Sequence, residues 1–373
     1  MNLRQKLEVA RQLEKLGVDI IEAGFPCISD GDFEAVHTIA SAITKCRIAG
    51  LARCVENDIR KAGEAVAPAG DRGRIHTFLA TSPLHREFKL KKSKEEIIRM
   101  AVEGVRLAKT YVDDVEFSAE DASRTELDYL AEVVTAVIDA GATTVNVPDT
   151  VGFTTPREYY NMVRYLKENV PNIDRAVISV HCHNDIGLAV ANSLAAVEAG
   201  ARQVEGTING IGERAGNAAI EEVCMALTIR PEALGFAAGD KPHNLNTREI
   251  VKTSRVVARS SGLAVQRSKA IVGENAFAHS SGIHQHGILA KRETYEIIDP
   301  ADVGWGETEL PLTKHSGRAA VKARLEKLGH NLSDDELNHV FERFKKIGDS
   351  KKFIYDDDLA SLVHDSLDTH SGK

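Results

Sequence analysis

No stretch of this chain is apolar for long enough to cross a bilayer, and no charged-then-apolar leader precedes its first helical segment. Paired cysteines are missing too. Cys27, Cys46, Cys54, Cys182 and Cys224 are odd in number and widely spaced, and no CxxC pair occurs, which argues against a disulfide framework and for a reducing compartment. Basic charge is not in excess: the formal net charge is −8, so nothing electrostatic points to nucleic acid or an anionic membrane. Low-complexity tracts are absent as well. What remains is a cytoplasmic globular chain of 373 residues, 43% hydrophobic and 27% charged, long enough for one large domain and something smaller.

The first two-thirds alternates short apolar runs with amphipathic helical patterns. The runs are Val18–Ala23, Arg47–Leu51, Arg74–Ala80, Asp114–Ser118, Thr144–Val147, Ala176–Val180 and Gln203–Gly206. Helical stretches such as Lys94–Lys109, Glu126–Ala140 and Ala189–Ala199 lie between them, and Gly17, Gly141 and Gly200 each stand where a helix would stop in the left-handed conformation. Strands alternating with helices predict a parallel sheet with right-handed crossovers. Polar residues gather at the ends of many strands rather than at one switch point, which favours a (β/α)₈ TIM barrel over an open doubly wound sheet. Only seven strands are counted, and the chain opens on a helix whose face of Leu3, Leu7, Ala10, Leu13 and Leu16 has no strand before it. The expectation is therefore a barrel lacking its first strand over residues 1–273, with two exposed sheet edges. A linker subdomain over 274–327 and a helical subdomain over 328–373, with helices at Ser333–Ile347 and Tyr355–Leu367, would follow.

Four groups of residues carry chemistry. His181 and His183 end the sixth run in the string His181-Cys182-His183-Asn184-Asp185. Two residues apart on a strand, they share a face, and two imidazoles so placed suit one divalent metal or a hydrogen-bonded polar layer. The loop Asn209–Asn217 holds three glycines at a spacing that is not the dinucleotide fingerprint. Within it Asn217 can lend a neutral oxygen to a metal and Glu213 and Arg214 can orient ligands, although a purely structural turn accounts for the glycines equally well. The other strand ends offer Glu22, Arg53, His76, Glu116, Ser118, Glu120, Asp121, Asp149 and Thr150, a rim suited to proton transfer, in which Asp121, Asp149 and Asp185 read equally as caps or ion-pair partners. Last, the stretch Phe277–Gly287 concentrates His279, His284 and His286 outside the barrel, as a lid, a group donated to a partner, or an ordinary loop.

Taken together these strings resemble the acyl-CoA condensing and lyase superfamily that includes isopropylmalate, homocitrate and citramalate synthases and hydroxymethylglutaryl-CoA lyase. The shared marks are Gly24-Phe25-Pro26 with Glu22, the pair His181 and His183, and the loop Gly210–Asn217. Within it, Gly17 to Arg318 is similar to the bacterial 2-isopropylmalate synthases, through strings such as "ISVHCHNDIGLAVANSLAAVEAG" and "FAHSSGIHQHG". The resemblance implies a metal-dependent acyltransferase of leucine biosynthesis that condenses acetyl-CoA with 3-methyl-2-oxobutanoate. It implies a divalent metal, Mn²⁺ ahead of Mg²⁺ or Zn²⁺, held by His181, His183 and Asn217. Leu51, His76, Ser118, Pro148 and Thr150 would line the oxoacid pocket. Glu120 and His284 would move protons, His284 reaching in from the partner of a homodimer. The family's Arg-Asp-Gly motif after the first strand, with a metal-ligating Asp and a substrate-binding Arg, does not occur here, and a leucine-sensing domain is not reached. On that footing metal binding and turnover are expected to be weak. The rival readings are a citramalate or homocitrate synthase on the same scaffold and, from another class, an inactive binding remnant.

Overall fold

The structure, a computed structural model, describes residues 1–279, 284, 287, 288, 290–306, 312, 316–350, 354, 358, 359 and 361–363. Two compact units divide the chain, Met1–Val265 and Gln266–Lys373.

The first unit repeats a helix–strand pair. Its strands are β1 (Ile20–Gly24), β2 (Arg47–Arg53), β3 (Gly73–Ala80), β4 (Asp114–Glu120), β5 (Thr144–Asp149), β6 (Val177–Cys182) and β7 (Gln203–Glu205). The helices are α1 (Leu3–Leu16), α2 (Asp30–Ala42), α3 (Glu56–Val66), α4 (Lys94–Ala108), α5 (Leu127–Ala140), α6 (Pro156–Asn169), α7 (Ala189–Ala199), α8 (Ile220–Ile229) and α9 (Ile250–Ser261). All seven strands pair in sequence order and every pairing is parallel. Local signals set the boundaries. Asn2 and Ser93 close capping boxes at the starts of α1 and α4, and Gly17, Gly141 and Gly200 end α1, α5 and α7 with positive φ, as their spacing predicts. β2, β4 and β5 run two residues past the predicted runs, so Arg53, Glu120 and Asp149 belong to strands.

The sheet is strongly curled. Arg74 on β3 hydrogen-bonds Gln203 on β7 at 2.9 Å and Thr144 on β5 at 3.3 Å, so side chains of strands two and four positions apart meet across the concave face. That is the seven-stranded TIM-barrel fold expected from the sequence, with β1 and β7 as its edges. The two faces differ in kind. Outward residues such as Ile75, Val115, Phe117, Val145, Val147 and Val180 are fully buried against the helices and form one large apolar core. Inward residues are polar: Arg74, His76, Glu116, Ser118, Thr144, Asn146 and Ser179. The apolar face of α1 packs with Ile21, Ile39, Ile43 and Ile48, and α1 also lies along α9, where Gln12 donates to Glu249 at 2.8 Å and to Thr253 at 3.0 Å. A cavity of about 350 Å³ separates the start of β1 from β7, lined among others by Val18, Ile20, Val204, Val223, Leu227 and Phe236.

In the second unit Arg318–Lys327 and Asp334–Ser350 are helices, the latter entered through a Ser333–Glu336 capping box. Their apolar faces share a small core in which Leu312, Val321, Leu325, Leu337, Phe344 and Leu362 are buried, so one core draws on both of the stretches predicted as separate subdomains. The predicted helix Tyr355–Leu367 lies largely outside the described residues, of which 358, 359 and 361–363 are helical.

A strand with one free edge exchanges its unpaired amides through small openings, whereas an inner strand must wait for larger ones. Native-state hydrogen exchange is expected to find the amides of β1 and β7 at least roughly tenfold faster than those of β4 and β5. Equal protection in all four strands would show that the two edges are covered in solution.

Candidate active site

The interior of the curled sheet is stacked in polar levels. At the lowest, the Arg74 guanidinium pairs with Asp114 and Glu116, both at 2.8 Å, and all three side chains are buried or nearly so. Gln203 donates to Glu116 at 2.8 Å and to Ser179 at 2.9 Å. One level up, both ring nitrogens of buried His76 are engaged, Nδ1 with Glu22 at 2.5 Å and Nε2 with Ser118 at 2.6 Å, and Asn146 donates to the same Ser118 hydroxyl at 2.8 Å. Above that, at the carboxyl ends of the strands, His181 Nδ1 meets Glu205 at 2.8 Å and its Nε2 faces Asn217 Oδ1 at 2.9 Å. The His181 and His183 rings are 5.3 Å apart.

Charge is distributed to match. Burial works against a charged His76, but the carboxylates of Glu116, Glu22 and Glu205 outweigh it and hold its pKa at about 10. Burial, and then the neighbouring Glu205 charge, push the Glu116 carboxyl up. For Glu205 burial is opposed and overcome by His76 and by the His181 hydrogen bond, so its carboxyl stays ionised. The two carboxyls thus titrate as a pair, Glu116 above and Glu205 below the ordinary carboxylate range.

Among the described residues, two clusters have the composition of a metal site. Ligand atoms of His76, Glu116 and Glu205 lie within 4.8 Å of one another. In that cluster, however, both His76 nitrogens and both Glu116 oxygens already have partners, and Arg74 supplies the positive charge. The second cluster is less satisfied. Asn217 donates its Nδ2 to the Ile211 carbonyl at 3.0 Å, which turns Oδ1 toward His181 Nε2, and His183 Nδ1 is buried with no hydrogen-bond partner. An oxygen and a nitrogen converging on one point, beside an orphaned imidazole, suit a divalent cation better than they suit each other.

The glycine-rich loop brings Asn217 there. A Cβ on Gly212 would stand 2.1 Å from Asn217 Nδ2, and one on Gly216 would stand 1.9 Å from the Gly210 carbonyl, at φ values of +154° and +90°. The loop is locked to β6 by a bridge between His183 and Asn217 and by the Ala218 amide donating to the Cys182 carbonyl.

Of the residues singled out from sequence, strand register brings Leu51, His76, Ser118, Pro148 and His181 to one concave face, pairing Leu51 with His76 and Pro148 with His181, and the loop adds Asn217. Glu120, at the end of β4, carries Lys89 on both oxygens at 2.7 and 3.0 Å. Thr150 follows β5 and accepts from the Asp121 amide at 2.9 Å. The three open aspartates all have partners: Asp121 pairs with Arg124, Asp185 with Arg214, and Asp149 accepts from Ser123 and Thr154. Arg53 is taken by Asp58 at 2.6 Å. His284 belongs to the second unit, where its ring lies tilted against Tyr295 with centroids 4.3 Å apart. Sequence reasoning passed over Arg74, Gln203 and Glu205. Their signal is a period-two alternation of polar residues inside runs read only for apolar content.

A parallel curled sheet with two histidines and an amide oxygen at its carboxyl rim defines an acyl-CoA lyase-like barrel, and a family profile described as HMGL-like matches residues 1–257, with a homocitrate synthase post-HMGL domain-like profile over 271–352. A hydroxymethylglutaryl-CoA lyase from Pseudomonas aeruginosa has the same fold at a TM-score of 0.59 and 18% identity, over 71% of this chain and 88% of that one. The 2-isopropylmalate synthase of Methylacidiphilum infernorum is 64% identical over 98% of this chain and 72% of its own length. That of Pyrococcus furiosus is 54% identical over 100% and 74%. The chain belongs to the 2-isopropylmalate synthase family of acyl-transferring condensing enzymes.

Stability should report the ion network directly. Replacing Arg74 by Met strands the buried Asp114 and Glu116 carboxyls, and chemical denaturation is expected to show a loss of about 3–5 kcal/mol. A change below 1 kcal/mol would mean that water reaches them. His76 sets a pH window. Its folded pKa of about 10 lies above its ordinary value of about 6.5, so the stability it contributes is complete below pH 6.5 and is lost as pH rises through 10. The unfolding free-energy gap between wild type and His76→Gln should therefore narrow between pH 7 and 10; a gap that stayed constant would place a neutral imidazole at this position.

Proposed function

We propose that this rim catalyses the Claisen-type condensation of acetyl-CoA with 3-methyl-2-oxobutanoate and water to 2-isopropylmalate and CoA. The observation that carries it is the convergence of His181 Nε2 and Asn217 Oδ1 beside the His183 ring, whose Nδ1 is buried without a hydrogen bond, on the same rim as Glu120. A divalent metal held by His181, His183 and Asn217, Mn²⁺ before Mg²⁺ or Zn²⁺, would polarise the keto carbonyl and stabilise the alkoxide that develops there.

The chain's own residues do the rest. Glu120 accepts a proton from the thioester methyl group, and the resulting carbon nucleophile attacks the keto carbon. His284, supplied by the partner of a homodimer, returns a proton to the new alkoxide oxygen. Water then cleaves the thioester, releasing CoA. Lys89 brackets the Glu120 carboxylate and fixes its direction. Ser118, whose oxygen is held by His76 and Asn146, offers its hydroxyl proton to the oxoacid, while Leu51 and Pro148 offer apolar surface to its branched end. Holding both carbons in this one pocket replaces a bimolecular search. A methyl group more or less in such a pocket is worth only about 1–3 kcal/mol, so the choice among oxoacids is finite.

CoA release should be assayed with Mn²⁺ and 3-methyl-2-oxobutanoate, beside pyruvate and 2-oxoglutarate. The branched oxoacid is expected to be used best, and Glu120→Gln should lower kcat by roughly 10²–10⁴-fold. Faster turnover with pyruvate would reassign the substrate, and an unchanged Glu120→Gln would remove Glu120 from the chemistry.

A further inference from the structure

We propose that Glu205 is the positioning residue of the metal site, accepting a hydrogen bond from His181 Nδ1–H at 2.8 Å so that Nε2 is the nitrogen presented to a divalent cation. The inference deepens, and rests on, the metal assignment made above.

The geometry leaves His181 few alternatives. Its ring sits between two oxygens, one on Glu205 and one on Asn217, and the Asn217 amide is fixed in orientation by its own bond to the Ile211 carbonyl. Glu205 is a register partner of His181 on the neighbouring strand, so the contact is set by the pairing of β6 with β7 and not by a mobile loop. Its second oxygen accepts from Ser179 at 3.3 Å and from Gln203 at 3.5 Å, and Gln203 is held in turn by Arg74 at 2.9 Å. A carboxylate anchored on that side cannot rotate away from the imidazole. A ligating histidine whose far nitrogen donates to a carboxylate is fixed in tautomer and ring orientation and is a more basic ligand. Glu116 belongs to the same buried group but does not touch His181, which makes it the internal control.

Two measurements test this on the full chain. The first needs no substitution: with histidines labelled in ¹⁵N, Zn²⁺ titration is expected to give a His181 coordinated through Nε2 with Nδ1 still protonated. Coordination through Nδ1 would overturn the proposal. The second is Mn²⁺ affinity by calorimetry, with thermal midpoints recorded alongside. Glu205→Gln, which keeps the shape and removes the charge, should weaken Mn²⁺ binding roughly ten- to a hundredfold. Glu205→Asp, which keeps the charge and loses the reach, should weaken it as well, and Glu116→Gln should leave it within about twofold. Glu205 variants that fold and bind Mn²⁺ like wild type would sink this inference while leaving the metal site standing. An equal loss in Glu116→Gln would also overturn it, by tracing the effect to the whole buried group. Wild-type protein that binds neither Mn²⁺ nor Zn²⁺ would remove the metal site itself and this proposal with it.

Discussion

A guanidinium inside a β-sheet needs carboxylates around it, and Arg74 has Asp114 and Glu116 at 2.8 Å. Each ion would be costly alone at that depth, so the three stand or fall together. The rest of the pocket is built upward from this group. Glu116 lies beside Glu205, Glu205 holds His181, and His181 faces Asn217. The curl of the sheet belongs to the same arrangement, because Arg74 and Gln203 can meet only if β3 and β7 turn toward each other.

This polar interior is unusual for a barrel, whose centre is commonly filled by branched apolar side chains in layers. Here the apolar material lies on the other face, between the strands and the helices, where Ile75, Val115, Phe117 and Val147 are wholly buried. The division lets one sheet do two things. The outer face supplies the burial that folding requires, and the inner face supplies fixed dipoles and charges that need no rearrangement when a reacting group gains charge.

Much of this was legible in the order of residues. Seven runs became seven parallel strands, three glycines became left-handed helix ends, and the histidines two apart fell on one face. Arg74, Gln203 and Glu205 escaped because a run such as Arg74–Ala80 looks apolar as a whole, while its contacts depend on which alternate residues turn inward. Asp121, Asp149 and Asp185 could not be assigned in advance either. Their partners Arg124, Thr154 and Arg214 lie on loops whose path no local pattern dictates. His284 stands apart for another reason: it sits in a different folding unit, so no strand register ties it to the rim.

The contact between α1 and α9 joins the opening and closing helices of the first unit side by side, through Gln12 with Glu249 and Thr253. Seen this way, the helical layer is a ring whose order matters more than its starting point. A short bridge from beyond Ser261 back to the first turn of α1 would let the same unit be opened elsewhere, for instance in the exposed connection around Ile28. The sheet would keep its order and its two edges while the chain termini moved to another place, so the rim chemistry would not depend on where the chain begins.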